Sequence, residues 1–319
     1  MFSRRVLLSG FLGATLLTAS FSSGVQAEPL KEFKVGYQKG SAILVIAKQR
    51  GVFEKRLKEL GIDNVKWVEF QFGPPLLEAL GTGAVDIGVV GDTPPIFAQS
   101  AGANLVYVAT TPASASAILV PKDSPIKTVA DLRGKKVAIA KGSSSHNLTV
   151  QALAINGLSF ADIQPVYLAP ADAVAAFATG SVDAWTIWDP YFAIAENKHN
   201  ARILVDSGQK GLESNSFYLA NKDFAGQHPD VLKAALDELS VITKWAADNR
   251  DQLAQISADA TGVDLGSQTI ASKRYVIDLQ PISDDVVAKQ QSIADTFNQL
   301  GLIPKAINVR DIVWNAPTN

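Results

Sequence analysis

The 319-residue chain contains no cysteine, three histidines and one methionine. Without cysteine there are no disulfides, thiol nucleophiles, thiolate metal sites or lipid-bearing lipoprotein cysteine. His146, His199 and His228 do not fall at metal-ligand spacing, so no metal and no catalytic residue is assigned. An excess of one charge is also missing. Lys and Arg number 29 against 31 Asp and Glu, for a formal net charge of -2. That balance gives neither nucleic acid nor an anionic membrane surface a partner. No GxxxxGK[ST], GxGxxG or GxSxG loop follows a strand, so no cofactor is expected. Beyond the first 27 residues no apolar run is long enough to span a membrane.

What is there is a chain 47% hydrophobic and 19% charged, with ample core material for two lobes. Residues 1–27 read as a secretory signal. Arg4 and Arg5 form its basic start, Val6 to Phe21 its apolar run, and Val25-Gln26-Ala27 a small-residue cleavage site. Ser3-Arg4-Arg5-Val6-Leu7-Leu8 resembles the twin-arginine motif, so either export route fits. The expected destination is outside the cytoplasm, free of an anchor.

Two motifs occur twice. VGYQKGS at 35–41 is echoed by VAIAKGS at 137–143, and TGAVDIGVVGD at 82–92 by TGSVDAWTIWD at 179–189. Each copy reads strand, KGS turn, helix, strand, helix, TG-x-VD and strand, which predicts an α/β fold of two similar lobes. Each lobe would hold a largely parallel sheet flanked by helices. The predicted division is 28–116 with 217–319 for lobe 1 and 117–216 for lobe 2. Crossings fall near 112–120 and 213–220 and would form a hinge. Helices are expected over 230–248, started by His228-Pro229, and over 285–300, stopped by Gly301.

In open parallel sheets, ligands bind beyond the carboxyl ends of the strands. The turns Gln38–Ala42, Gly91–Pro95 and Gly142–His146 supply glycine, hydroxyls and helix starts there. Helix starts present unpaired amides and partial positive charge, so they hold anions without formal cations. The same serines and Asp92 also suit plain helix capping. Trp188 offers an apolar wall, and two of the three serines at 143–145 are expected to touch a ligand.

These motifs, together with VGDTPPIFAQSAG (90–102), AILVPKDSPIKTVADLRGKKVAIAKGSSSH (117–146), QPVYLAPADAVAAFATGSVDAWTIWDPY (164–191) and IADTFNQLGLIPK (293–305), resemble the aliphatic sulfonate-binding proteins. These are periplasmic substrate-binding subunits of ABC importers. The resemblance implies a type II periplasmic binding fold that closes on an organosulfonate. It also implies monomeric delivery to a permease and its ATPase for sulfur acquisition. Carried over, the ligand contacts are Gln38, Gly40, Ser41, Asp92, Thr93, Ser143, Ser144, His146, Trp188 and Asp189, with Ser116 (or Ser114) from the hinge. The family often has Glu where this chain has Asp92, so that carboxylate either reaches the ligand or caps a helix. Taurine, nitrate or a thiamine pyrimidine precursor is the alternative ligand, and an enzyme on the same fold the remoter one.

Overall fold

The computed structural model describes residues 30–316, so the expected signal segment and its cleavage site lie outside it. The first sheet takes β1 (Glu32–Tyr37), β2 (Asn64–Glu69), β3 (Ile87–Gly91) and β4 (Leu105–Pro112). The second takes β5 (Ser116–Pro121), β6 (Lys136–Ile139), β7 (Gln164–Tyr167), β8 (Ala184–Trp188) and β9 (Ala201–Asp206). The chain then returns to the first sheet as β10 (Asn215–Asn221). The strand orders are β2-β1-β3-β10-β4 and β7-β6-β8-β5-β9. In each sheet one strand, β10 or β5, runs against its four parallel companions. That strand enters from the other sheet.

Helices α1 (Ala42–Arg50), α2 (Val52–Lys58), α3 (Gly73–Gly81) and α4 (Thr93–Ser100) connect the first set of strands. Helices α5 (Ser144–Ile155), α6 (Pro170–Ala178) and α7 (Tyr191–His199) connect the second. The C-terminal part is helical: α8 (Lys222–Gln227), α9 (Pro229–Asp248), α10 (Arg250–Thr261), α11 (Leu265–Arg274) and α12 (Asp284–Gln299). Helices α9 and α10 pack on α1, whereas α12 packs on α4, so this part covers the first sheet. Both faces of each sheet carry an apolar core, as buried parallel strands require.

The TG-x-VD repeat has a local physical account. The Thr82 and Thr179 hydroxyls donate back to the last turns of α3 and α6, to the carbonyls of Glu78 (3.2 Å) and Ala175 (2.9 Å). Gly83 and Gly180 follow in the left-handed region, at φ 74° and 69°, where a side chain would be strained. Val85 and Val182 then enter the core. Asp86 and Asp183 accept from the backbone amides of Lys34 (2.7 Å) and Lys136 (2.8 Å), while their own amides donate to the same residues' carbonyls. Each lock fixes β1 against β3, or β6 against β8, and so sets the turns at their ends.

Candidate ligand-binding cleft

Between the sheets lies a void of about 660 Å³, its open mouth included, walled by residues at the ends of β1, β3, β6 and β8. Gln38, Gly40, Ser41 and Gly91 come from one side, Ser143, Ser144 and Trp188 from the other. No residue lining it carries a formal charge.

Its polarity comes from hydroxyls and helix starts. Ser41 and Ser143 are the N-cap residues of α1 and α5, yet neither side chain makes a capping hydrogen bond. Among the described residues, the amides of Ala42, Ser144 and Ser145 donate to no protein acceptor. Two helix starts therefore aim open donors at the cleft. Ser41 Oγ accepts from the Gln38 amide at 3.1 Å, which leaves its own proton to give. Ser143 turns inward, donating to the Ala140 carbonyl at 2.7 Å and lying 2.9 Å from Ser145 Oγ. Ser143 and Ser144 line the void and Ser145 does not, and of the lining pair Ser144 keeps the freer hydroxyl.

Neither KGS lysine faces this void. Lys39 Nζ donates to the Thr261 carbonyl at 2.9 Å, and Lys141 sits over the Tyr167 ring at 5.5 Å. Gly40 is required by close approach: a Cβ there would lie 2.8 Å from the Asp189 carbonyl oxygen. Gly91 meets Ser144 in the same way, with a built Cβ 2.7 Å from the serine Cβ. The lobes thus touch on both sides of the cleft, glycine against the opposite lobe each time.

Several sequence-derived candidates stand elsewhere. Asp92 is buried outside the void and does not cap α4; its Oδ1 accepts from the Thr93 hydroxyl (2.7 Å) and its Oδ2 from Asn147 Nδ2 (2.6 Å). Burial pushes its carboxyl up to about 6, against the pull of those hydrogen bonds. Thr93, 0% exposed, is committed to that carboxylate. Ser116 donates to the Ser114 carbonyl at 3.0 Å, and Ser114 is the one that lines the void. His146 is 0% exposed among the rings of Phe97, Phe160, Tyr167 and Phe297, away from the void. Burial first, then the Lys141 charge, lowers its pKa to about 4. Asp189 lines a smaller side cavity that shares Gly40, Ser114 and Tyr275 with the main void. Its Oδ1 accepts from the Ala193 amide (3.0 Å) and Arg274 Nη2 (3.1 Å). Burial raises it to about 6, opposed chiefly by the Arg274 charge.

The chain matches the family model described as NMT1/THI5 like over residues 38–252. It is similar to the periplasmic aliphatic sulphonate binding protein SsuA of Escherichia coli, at 43% identity and TM-score 0.80, covering 91% of this chain and 94% of that one. It is also similar to the alkanesulfonate-binding protein SsuA of Xanthomonas axonopodis pv. citri bound to MOPS, at 39% identity and TM-score 0.84, covering 90% and 99%. The taurine-binding periplasmic protein of Escherichia coli K12 is less similar, 31% identical over 69% of this chain and 68% of that one. The chain belongs to the aliphatic sulfonate-binding protein family.

In this family member the cleft has further walls that sequence reasoning missed: Thr111, Ser216, Tyr218 and Tyr275. Ser216 and Tyr218 alternate along β10, the returning strand, which is a period-2 signal that a reading of NSFYLA as a strand contains. Tyr275 follows the end of α11 with no local motif to mark it. Among the described residues there is no cluster suited to a metal ion and no helix long and apolar enough to cross a membrane.

Proposed function

We propose that this chain is a periplasmic capture protein that closes its cleft on aliphatic sulfonates and delivers them to the permease and ATPase of an ABC importer. The observation that carries the reading is a cleft built of neutral donors with no carboxylate and no cation on its wall. A sulfonate is a permanent monoanion with no proton to give. It needs donors to its oxygens and no strong acceptor, and each charge-assisted bond contributes about 1.5–3 kcal/mol. Ser41, Ser144 and the open starts of α1 and α5 meet that demand. Ile43, Val89, Val90 and Trp188 supply apolar wall for an alkyl chain, worth about 0.8 kcal/mol per buried methylene. The missing carboxylate leaves a taurine ammonium without a partner in the main void. The MOPS held by the Xanthomonas relative is itself a sulfonate.

The reading is of binding without turnover. His146 Nδ1 accepts from the Gly142 amide inside an aromatic cluster and stands behind the serines rather than over the void. Within the proposal, the two sheets and their helices move about the Pro112–Ser116 and Asp206–Asn215 crossings, and the mature chain begins after Ala27 as a monomer.

A thermal-shift panel tests it. Short alkanesulfonates at about 100 times their Kd should stabilise the protein by about 2.7 kcal/mol. Sulfate, nitrate and the matching carboxylates should give little. No shift with any sulfonate would overturn the reading.

A further inference from the structure

Asp92 and Asp189 close the two copies of the VD-x-x-x-x-x-D repeat, and each is engaged by the opposite lobe. Asp92, at the end of β3, receives Asn147 Nδ2 from α5 at 2.6 Å. Asp189, at the end of β8, receives Arg274 Nη2 from α11 at 3.1 Å. The donors come from opposite directions: Asn147 belongs to the second lobe, and Arg274 to the C-terminal helices that pack through α10 on α1 of the first. Beside each bond stands one of the two glycine contacts. Gly91 precedes Asp92 and touches Ser144, on the helix that carries Asn147. Gly40 touches the carbonyl of Asp189 itself.

From this paired arrangement we infer that Asp92–Asn147 and Asp189–Arg274 are two clasps, one on each side of the cleft, that hold the lobes together. On this assignment neither aspartate is a ligand contact. Asn147 and Arg274 are positioning residues for capture, outside the wall of the main void yet setting how long the sulfonate stays. The inference rests on the capture reading and adds to it where the closure energy resides.

The chemistry of the two sides supports the assignment. Asp92 is 1% exposed and Asn147 is equally buried, so their bond forms only when the lobes meet and water leaves. An unpaired carboxylate there would cost far more than a surface one, which makes the bond a condition of closure. The Asp92 backbone is fixed independently, its carbonyl accepting from Gln290 Nε2 on α12 at 2.6 Å. On the other side Arg274 spans two acceptors, Asp189 and Glu196 (2.6 Å), with its guanidinium 3.8 Å from the centre of the Phe192 ring. All three partners belong to the second lobe. Asn197 adds a bond to Asp264 at 3.1 Å, so this side is a network where the first is a single buried bond.

The test measures dissociation of propanesulfonate by stopped flow, together with inter-lobe distance. Because the chain has no cysteine, spin labels attach only at introduced sites, here Glu78→Cys on α3 and Asp172→Cys on α6, both exposed. Arg274→Ala and Asn147→Ala should each speed dissociation about tenfold or more, the scale of a hydrogen bond to a charged group. Association should change by less than about twofold. Both should lengthen the mean label distance. The exchange Asp92→Asn with Asn147→Asp rebuilds the bond with donor and acceptor reversed and should restore slow dissociation, a rescue that a mere folding defect would not show. Wild-type dissociation rates in both single variants would overturn the clasps. If the wild-type protein binds no alkanesulfonate, the capture reading fails by itself. The clasps are then decided by the ligand-free label distance, and an unchanged distance in both variants overturns them.

Discussion

The two KGS turns are built on one plan and have been put to different uses. Aligned by their glycines, Ala42, Leu44 and Val45 of the first turn correspond to Ser144, His146 and Asn147 of the second. Leu44 and Val45 lie in the core of their own lobe. His146 and Asn147 point instead at the other lobe, to Phe97, Phe297 and Asp92. The glycines differ too. Gly142 is there for its backbone, at φ 72°, with no atom closer than 3.7 Å to a built Cβ. Gly40 has no such φ and is there for space, beneath the Asp189 carbonyl. Identical letters in a repeat thus answer to different physical demands: the first turn meets the other lobe through its glycine and packs its helix into its own core, and the second adds side chains on which the lobes meet.

Replacing each glycine by alanine should separate these demands, and gives the largest effect expected. Gly40→Ala should weaken propanesulfonate binding roughly 5- to 150-fold, the scale of a 1–3 kcal/mol overpacking penalty, with little change in ligand-free Tm. Gly142→Ala should do the reverse, costing about 1–2 kcal/mol of folding stability through its left-handed backbone. Calorimetric titration and denaturant melts read the two quantities separately. Equal effects on both would erase the distinction.

Making the second turn resemble the first at His146 is the next test. The imidazole titrates near 4 when buried and near its ordinary 6.5 when unfolded. Its contribution is therefore full above pH 6.5 and is lost as pH falls through 4. Asp92 and Asp189 run oppositely: raised to about 6, they contribute stability below the ordinary carboxylate range that is lost as pH rises through 6. In the wild type these trends offset one another between pH 6.5 and 4. His146→Leu removes one side, so acidification from 6.5 to 5 should stabilise the variant by about 2 kcal/mol more than the wild type. Parallel pH profiles would show that the histidine does not titrate against folding.

What the sequence made legible follows from how local each cause is. The TG-x-VD pattern could be read because its threonine, glycine, valine and aspartate act within one helix end and the strand beside it. The mixed sheets with β10 and β5 reversed follow from two crossings visible as strand-like runs at 117–121 and 215–220. Gln38, Ser41, Ser143, Ser144 and Trp188 could be named as cleft candidates because strand ends and helix starts are local features. Asp92 could not be placed, since it sits where a cap would sit but its partner Asn147 is 55 residues away on the other lobe. His146 reads as one more polar group at a polar turn until Phe97 and Phe297 arrive from elsewhere in the chain. Tyr275 enters the cleft by tertiary packing alone.

Ser144→Ala, which again gives the second turn the residue of the first, should weaken sulfonate binding about tenfold by removing one hydroxyl donor to a charged ligand. Ser143→Ala should weaken it less, because that hydroxyl already donates to Ala140. The reverse order would mean that Ser143 turns outward when ligand enters.

The smallest effect comes where the copies should not differ. Thr82 and Thr179 make the same back-bond at the ends of α3 and α6, at 3.2 and 2.9 Å, on exposed surface. Thr→Val at either site leaves a helix carbonyl to water and removes one exposed hydrogen bond, so each should cost about 0.5–1 kcal/mol and leave sulfonate affinity unchanged. The two substitutions stand on different lobes and share no partner, so their costs should also add within about 0.5 kcal/mol. Equal, additive losses would mean the repeat survives where it serves folding alone and has diverged only where the lobes must face each other. A loss confined to one lobe would mean that divergence reaches the framework as well.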